Sequence, residues 1–139
     1  MIGYHLSLVP NIRKFQSSKS GSGFGTNFYG PGLYVALDTE PIENWAEMMD
    51  ADTYYVYEVE IPDTANILDD ENKYWDVVAK YVDFDKEEPS NEDLRRASNY
   101  MVRKLGYEGL NYWNEEDGNA IVLWKPSVAR IVSMKEHRN

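Results

Sequence analysis

The chain contains no cysteine among its 139 residues. That excludes a disulfide framework, a thiol nucleophile and a cysteine-ligated zinc site, and it fits a reducing, cytoplasmic setting. Histidine is nearly as scarce: His5 lies close to the start and His137 in a polar stretch close to the end. Two distant histidines among scattered carboxylates have no metal-ligand spacing, so no metal is expected. No Gly-x-Ser-x-Gly elbow supports a nucleophilic triad. No apolar run approaches the length of a membrane span, and the opening MIGYHLSLVPNIRK lacks the basic start and long apolar core of a signal peptide. No repeat, low-complexity tract or Pro/Ser-rich linker divides the chain, which reads as one domain over 1–139.

Acidic residues are missing from Met1 to Leu37, where Arg13, Lys14 and Lys19 give +3. The whole chain has 14 Lys+Arg against 24 Asp+Glu and a net charge of −10. So strong an acidic balance repels phosphate backbones, and direct nucleic-acid binding is not expected. What the chain has in quantity is aromatic surface: 11 Tyr and 4 Trp, within 42% apolar residues. That is enough for a real core, much of it tipped with hydroxyl groups that need partners.

Ile2, Tyr4, Leu6 and Leu8 alternate with Gly3, His5 and Ser7, which predicts a strand ending at Pro10. A polar glycine-rich loop from Ser17 to Gly32 leads to a second short strand at Leu33, Val35 and Leu37. Thr39 is placed to cap a helix with Pro41 in its first turn and a stripe of Ile42, Trp45, Ala46 and Met49. Tyr55, Tyr57, Val59 and Ile61 predict a strand stopped by Pro62, and Tyr74, Val77, Val78, Tyr81 and Val82 a second helix. A third helix starts at Ser90 with Asp93 in a capping box and stops at Gly106. Strands follow at Gly109 to Trp113, Ala120 to Trp124 and around Ile131. Six strands and three helices in that order predict an α+β domain.

Several residues carry chemistry. The loop Gly21-Ser22-Gly23-Phe24-Gly25 lacks the Lys-Ser/Thr of a Walker loop, but its amides, beside Lys19, could meet a pyrophosphate. His5 and Ser7 lie opposite Tyr4 and Leu6, and Tyr34 lies opposite Leu33 and Val35. If these strands are neighbours, His5 and Tyr34 can line one cleft. Glu115, Glu116 and Asp117 form an acidic turn whose like charges could raise one pKa over a cleft.

Together these pieces resemble an ADP-ribosyltransferase. Tyr4-His5-Leu6-Ser7 is similar to that family's opening strand, usually aromatic-His-Gly-Ser/Thr. Tyr29-Gly30-Pro31-Gly32-Leu33-Tyr34-Val35-Ala36 resembles its second motif, a glycine turn into Gly-Leu/Ile-Tyr-Phe, followed by a helix with an aromatic residue, here Trp45. Phe15 to Tyr34, Leu105 to Leu110 and Ile121 to Pro126 resemble the modules of phage polyvalent proteins and small anti-CRISPR ADP-ribosyltransferases.

The resemblance implies a compact fold of split antiparallel sheets around an NAD⁺ cleft. By it, His5 bonds a ribose, the Leu6 backbone holds the nicotinamide amide beside Ser7, and Tyr34 stacks on the ring opposite Trp45. The phosphates fall to Lys19 and Gly25. Two departures stand out: Leu6 replaces a glycine, and Asn119 occupies the position of the usual glutamate. The acid then comes from Asp117, Glu116 or Glu115, or is absent. Asp117 is favoured because it shares a face with Asn119 in an extended segment. The implied activity is mono-ADP-ribosylation of a host protein in the bacterial cytoplasm by a phage or mobile-element effector such as an anti-CRISPR. A basic nucleic-acid-binding complex suits the acidic surface. The alternatives are a non-catalytic acidic binding protein and an NAD⁺ glycohydrolase toxin.

Overall fold

A computed structural model describes residues 1–15 and 28–138 of the chain. In order it contains β1 (Ile2–Ser7), β2 (Leu33–Ala36), α1 (Glu40–Met49), β3 (Thr53–Glu60), β4 (Ile67–Leu68), α2 (Glu71–Val78), α3 (Asn91–Arg103), β5 (Gly109–Asn114), β6 (Gly118–Leu123) and β7 (Arg130–Arg138). The three expected helices are present. Among the described residues there are seven strands rather than six, because the two-residue β4 pairs parallel to β5. A strand so short leaves no alternation to read. Among the described residues no helix is long and apolar enough to cross a membrane.

The strands form one sheet in the order β4-β5-β6-β2-β1-β3-β7. This corrects the expectation of split antiparallel sheets, although a trace of the split survives as a seam. The β1–β3 ladder joins six residue pairs and the β2–β6 ladder four, whereas β1 and β2 register only at Tyr4↔Ala36. Gly3 explains why the seam closes there. A Cβ on Gly3 would collide with Val35 Cγ1 and approach the Ala36 carbonyl to 3.0 Å. Only glycine lets β2 come this close.

All three helices lie on one face of the sheet. Ile42, Trp45 and Ala46 of α1 pack on Leu6 and Ala36. The stripes of α2 and α3 (Tyr74, Val77, Val78, Leu94, Ala97, Met101) pack on Leu110, Tyr112, Ala120 and Val122. Among the described residues the other face carries no α-helix; Phe15, Leu33, Val35, Tyr57, Val59, Ile121 and Leu123 make its core, with Val128 of the 3-10 turn Pro126–Val128 packed against it.

Element ends differ from the sequence reading for local reasons. β1 stops at Ser7 rather than Pro10, because the Ser7 hydroxyl accepts the Val9 N–H and the Tyr57 hydroxyl donates to the Val9 carbonyl. Thr39 precedes α1 but makes no side-chain capping bond. α2 ends at Val78, and Val82 reaches the same core from the following turn. The Ser90/Asp93 capping box forms as expected, with both reciprocal bonds made. Gly106 adopts φ +77° three residues beyond α3.

Candidate functional site

The seam between β1 and β2 is where the strand motifs meet. β1 runs on past Tyr4 while β2 runs back toward Leu33, and the His5 side chain bridges the gap. Its Nδ1–H donates to the Tyr34 carbonyl at 2.9 Å. A carbonyl only accepts, so the proton sits on Nδ1 and neutral imidazole presents Nε2 as an acceptor. Burial lowers the His5 pKa, against a smaller opposing effect of that bond, which favours the neutral ring. Phe15 meets the imidazole edge-on at 5.2 Å, and the Tyr57 ring lies edge-on to Phe15.

His5 and Tyr34 do not line one face. Antiparallel partners share a face, so the Tyr4↔Ala36 register puts Leu6 with Tyr34 and leaves His5 with Val35. The cores agree: Leu6 lies under α1 and Tyr34 under the α2–α3 layer, while the Phe15 that touches His5 belongs to the helix-free face. The two motifs are joined through the Tyr34 backbone rather than through its ring.

On the helix-covered face, Tyr34 belongs to a knot of aromatic side chains. Its hydroxyl donates to the Gly30 carbonyl at 2.6 Å and accepts from the Tyr29 N–H at 3.2 Å. Gly30 sits at φ +89°, the left-handed conformation that closes this turn without strain. The Tyr29 ring lies 4.3 Å from Tyr112, and the Tyr34 ring meets Tyr112 nearly edge-on at 6.3 Å. Trp124 Nε1–H donates to the Tyr29 carbonyl at 2.7 Å. Burial pushes the Tyr34, Tyr29 and Tyr112 phenols above their usual range, with Glu71 adding to the effect on Tyr29 and Asp117 to that on Tyr112.

Asp117 completes the cluster. It is 5% exposed, accepts the Tyr112 hydroxyl at 2.7 Å and the Asn114 amide at 3.4 Å, and donates its own N–H to Asn114 Oδ1. No Lys or Arg among the described residues forms an ion pair with it. A carboxyl group buried with only neutral donors has no cation partner among the described residues, and a carboxylate so fixed beside aromatic faces suits the stabilisation of a cation. Among the described residues no group of three His, Asp or Glu is arranged to hold a metal ion.

Of the other predicted site residues, Leu6 and Ser7 are buried in β1 beside His5, and Trp45 is buried against Leu6 and Ala36. Glu115 and Glu116 are exposed at the hairpin tip. Asn119 is exposed, and its register partner is Trp113. Lys19 and Gly25 lie outside the described residues. The reason given for favouring Asp117 does not hold. The chain turns at Gly118, φ +63°, so Asp117 bonds Tyr112 on the helix side while Asn119 shares a face with Trp113. Sequence reasoning missed Tyr29, Tyr112, Asn114 and Glu71. Tyr112 and Asn114 alternate along β5 and were open to a parity reading; Glu71, whose Oε1 accepts the Tyr29 hydroxyl at 2.8 Å, had no such signal.

No family model matches the chain, and no curated protein sequence is similar to it. Two solved structures align with the chain. A chain of the M. tuberculosis MbcT–MbcA toxin–antitoxin complex aligns with a TM-score of 0.57 and 11% identity, over 99% of this chain and 84% of that one. An anti-CRISPR protein aligns with a TM-score of 0.47 and 15% identity, over 99% of this chain and 95% of that one. At these identities the first likeness is one of fold.

Proposed function

We propose that the chain binds NAD⁺ at the seam and transfers its ADP-ribose to a protein acceptor. The observation that carries this reading is Asp117: a buried carboxylate without a cation, fixed beside Tyr34, Tyr29 and Tyr112. Breaking the bond between ribose C1′ and the nicotinamide nitrogen sends the electron pair to nicotinamide, which leaves neutral. The ribose is left oxocarbenium-like. A carboxylate fixed nearby stabilises that charge with no reorganisation at the moment of cleavage. The acceptor's lone pair then forms the new bond to C1′ and its proton goes to solvent. Nicotinamide needs no protonation to leave, so the cleavage requires no general acid at its nitrogen.

In this reading Asp117 is the catalytic carboxylate, with Glu115 and Glu116 at the rim. Tyr34 and Trp45 frame the nicotinamide, and His5 Nε2 accepts a ribose hydroxyl beside Leu6 and Ser7. Lys19 and Gly25 belong with the phosphates, and Asn119 lies farther out. No metal takes part. A phage-borne effector acting on a basic host protein in the bacterial cytoplasm, such as an anti-CRISPR, follows from the motif resemblance.

One observation favours a competing reading, a binding protein without turnover: Asp117 and the His5 ring lie on opposite faces of the sheet. The experiment that separates the two measures NAD⁺ affinity, nicotinamide release and transfer of labelled ADP-ribose in host lysate. Wild type is compared with Asp117→Asn and Tyr34→Ala. Transfer predicts a labelled band that disappears in both variants, with kcat for Asp117→Asn down on the order of 10²-fold and NAD⁺ affinity nearly unchanged. Free nicotinamide without a band gives an NAD⁺ glycohydrolase. NAD⁺ binding with neither product gives the binding protein.

A further inference from the structure

We propose that Glu71 is a positioning residue of this site, holding Tyr29 so that Tyr29 fixes Tyr34 and Tyr112, and through Tyr112 Asp117, relative to one another. The inference rests on the reading above for its functional meaning, but its structural content stands on the contacts alone.

Three hydrogen bonds and the rings of Tyr112, Tyr74 and Trp75 converge on Tyr29. Its hydroxyl donates to Glu71 Oε1 at 2.8 Å, its N–H donates to the Tyr34 hydroxyl at 3.2 Å, and its carbonyl accepts the Trp124 indole N–H at 2.7 Å. Its ring lies 4.3 Å from Tyr112 at a 31° angle, and Tyr112 in turn donates to Asp117 at 2.7 Å. The hydrogen-bonded route from Glu71 to Tyr34 passes through Tyr29, and the ring contact of Tyr29 with Tyr112 extends it to Asp117. Tyr74, Trp75 and Tyr112 pack around the Tyr29 ring, and the Glu71 bond holds its phenol end. Glu71 supplies that bond from 42 residues away in sequence.

Glu71 is built for the task. It is the first residue of α2, where free N–H groups favour a carboxylate, and Asp70 caps the same turn by accepting the Asn72 N–H. It is half-buried, and no Lys or Arg among the described residues forms an ion pair with it. A phenol held by a carboxylate is a charge-assisted bond, stronger and shorter than one between neutral partners.

The test compares Glu71→Ala, Glu71→Gln, Tyr29→Phe and the Glu71→Ala/Tyr29→Phe double variant with wild type. Two readouts are used: nicotinamide release, and NMR spectra of the full chain with ring-labelled tyrosine. Positioning predicts that Glu71→Ala lowers kcat about 10-fold or more while KM moves less than about 3-fold. Glu71→Gln, which keeps an acceptor, restores most of the rate. The double variant is no worse than either single one, because both remove the same bond. In the spectra, Glu71→Ala shifts the ring signals of Tyr29, Tyr34 and Tyr112 together, and Glu71→Gln leaves Tyr34 and Tyr112 near their wild-type positions.

The proposal is overturned if Glu71→Ala shifts Tyr29 alone, or if the Glu71→Ala and Tyr29→Phe losses add. A wild-type chain that releases no nicotinamide removes the enzymatic reading and leaves the spectra to decide the positioning one.

Discussion

Tyr74 buries its ring completely between Tyr29 and Trp124, yet no donor or acceptor reaches its hydroxyl among the described residues. Phenols elsewhere in the cluster all have partners. An unsatisfied buried hydroxyl costs more than the ring gains from carrying it, so Tyr74→Phe is expected to be neutral or to stabilise the chain by about 1 kcal/mol. Urea midpoints measure it, and a clear loss of stability would mean that the hydroxyl is partnered in solution. His5 makes the opposite kind of statement. Burial lowers its pKa from 6.5, so the unfolded chain binds a proton that the folded one refuses. The stability His5 permits is complete above that value and is lost as pH falls below it. Comparing urea midpoints at about pH 7.5 and about pH 5.5 should show a loss in wild type that is smaller in His5→Gln, since glutamine does not titrate. Equal pH slopes would show that His5 is solvated.

The helices differ in how their first turns are held, and that difference can be measured. Ser90 and Asp93 exchange two bonds at the start of α3, whereas Thr39 at the start of α1 makes none with its side chain. Ser90→Ala should cost about 1 kcal/mol, while Thr39→Ala should stay within about 0.5 kcal/mol. In sequence both residues read as caps, Ser90 within a capping box and Thr39 ahead of Pro41. Pro41 and the buried stripe of Ile42, Trp45 and Ala46 anchor α1 instead, so its start is set by packing. The alternating strands β1, β3 and β6 and the three apolar stripes were legible because their periods report burial directly. β4 was not, being two residues long and defined only by its neighbour β5.

Register belongs to the whole molecule, and most of the site depends on it. Alternation places His5 opposite Leu6, and Tyr34 opposite Val35, but says nothing about which face of one strand meets which face of the next. The single pair Tyr4↔Ala36, set by the close approach at Gly3, decides it against a shared His5–Tyr34 cleft. The turn at Gly118 likewise breaks the parity that linked Asp117 to Asn119, although Asp117 is still the acid of that turn that is buried. Sequence thus named strands and a turn of the candidate site, while the partners Tyr29, Tyr112 and Glu71 come from contacts between distant elements.

Charge is the other property of the whole chain. At −10, with Glu71, Glu115, Glu116 and Asp117 gathered around the candidate site, the protein should attract a basic acceptor over long range. In the proposed reaction, by contrast, the bond-breaking step falls among buried groups that salt hardly screens. Raising salt from about 50 mM to about 300 mM should therefore lower labelling of a basic acceptor protein several-fold, through slower association, while nicotinamide release without acceptor barely changes. If both rates fell together, salt would be acting on NAD⁺ binding itself, which would place the anion-tolerant residues Arg13 and Lys14 closer to the dinucleotide than to the surface. If neither fell, the acidic exterior would serve solubility, and recognition of the acceptor would rest on shape.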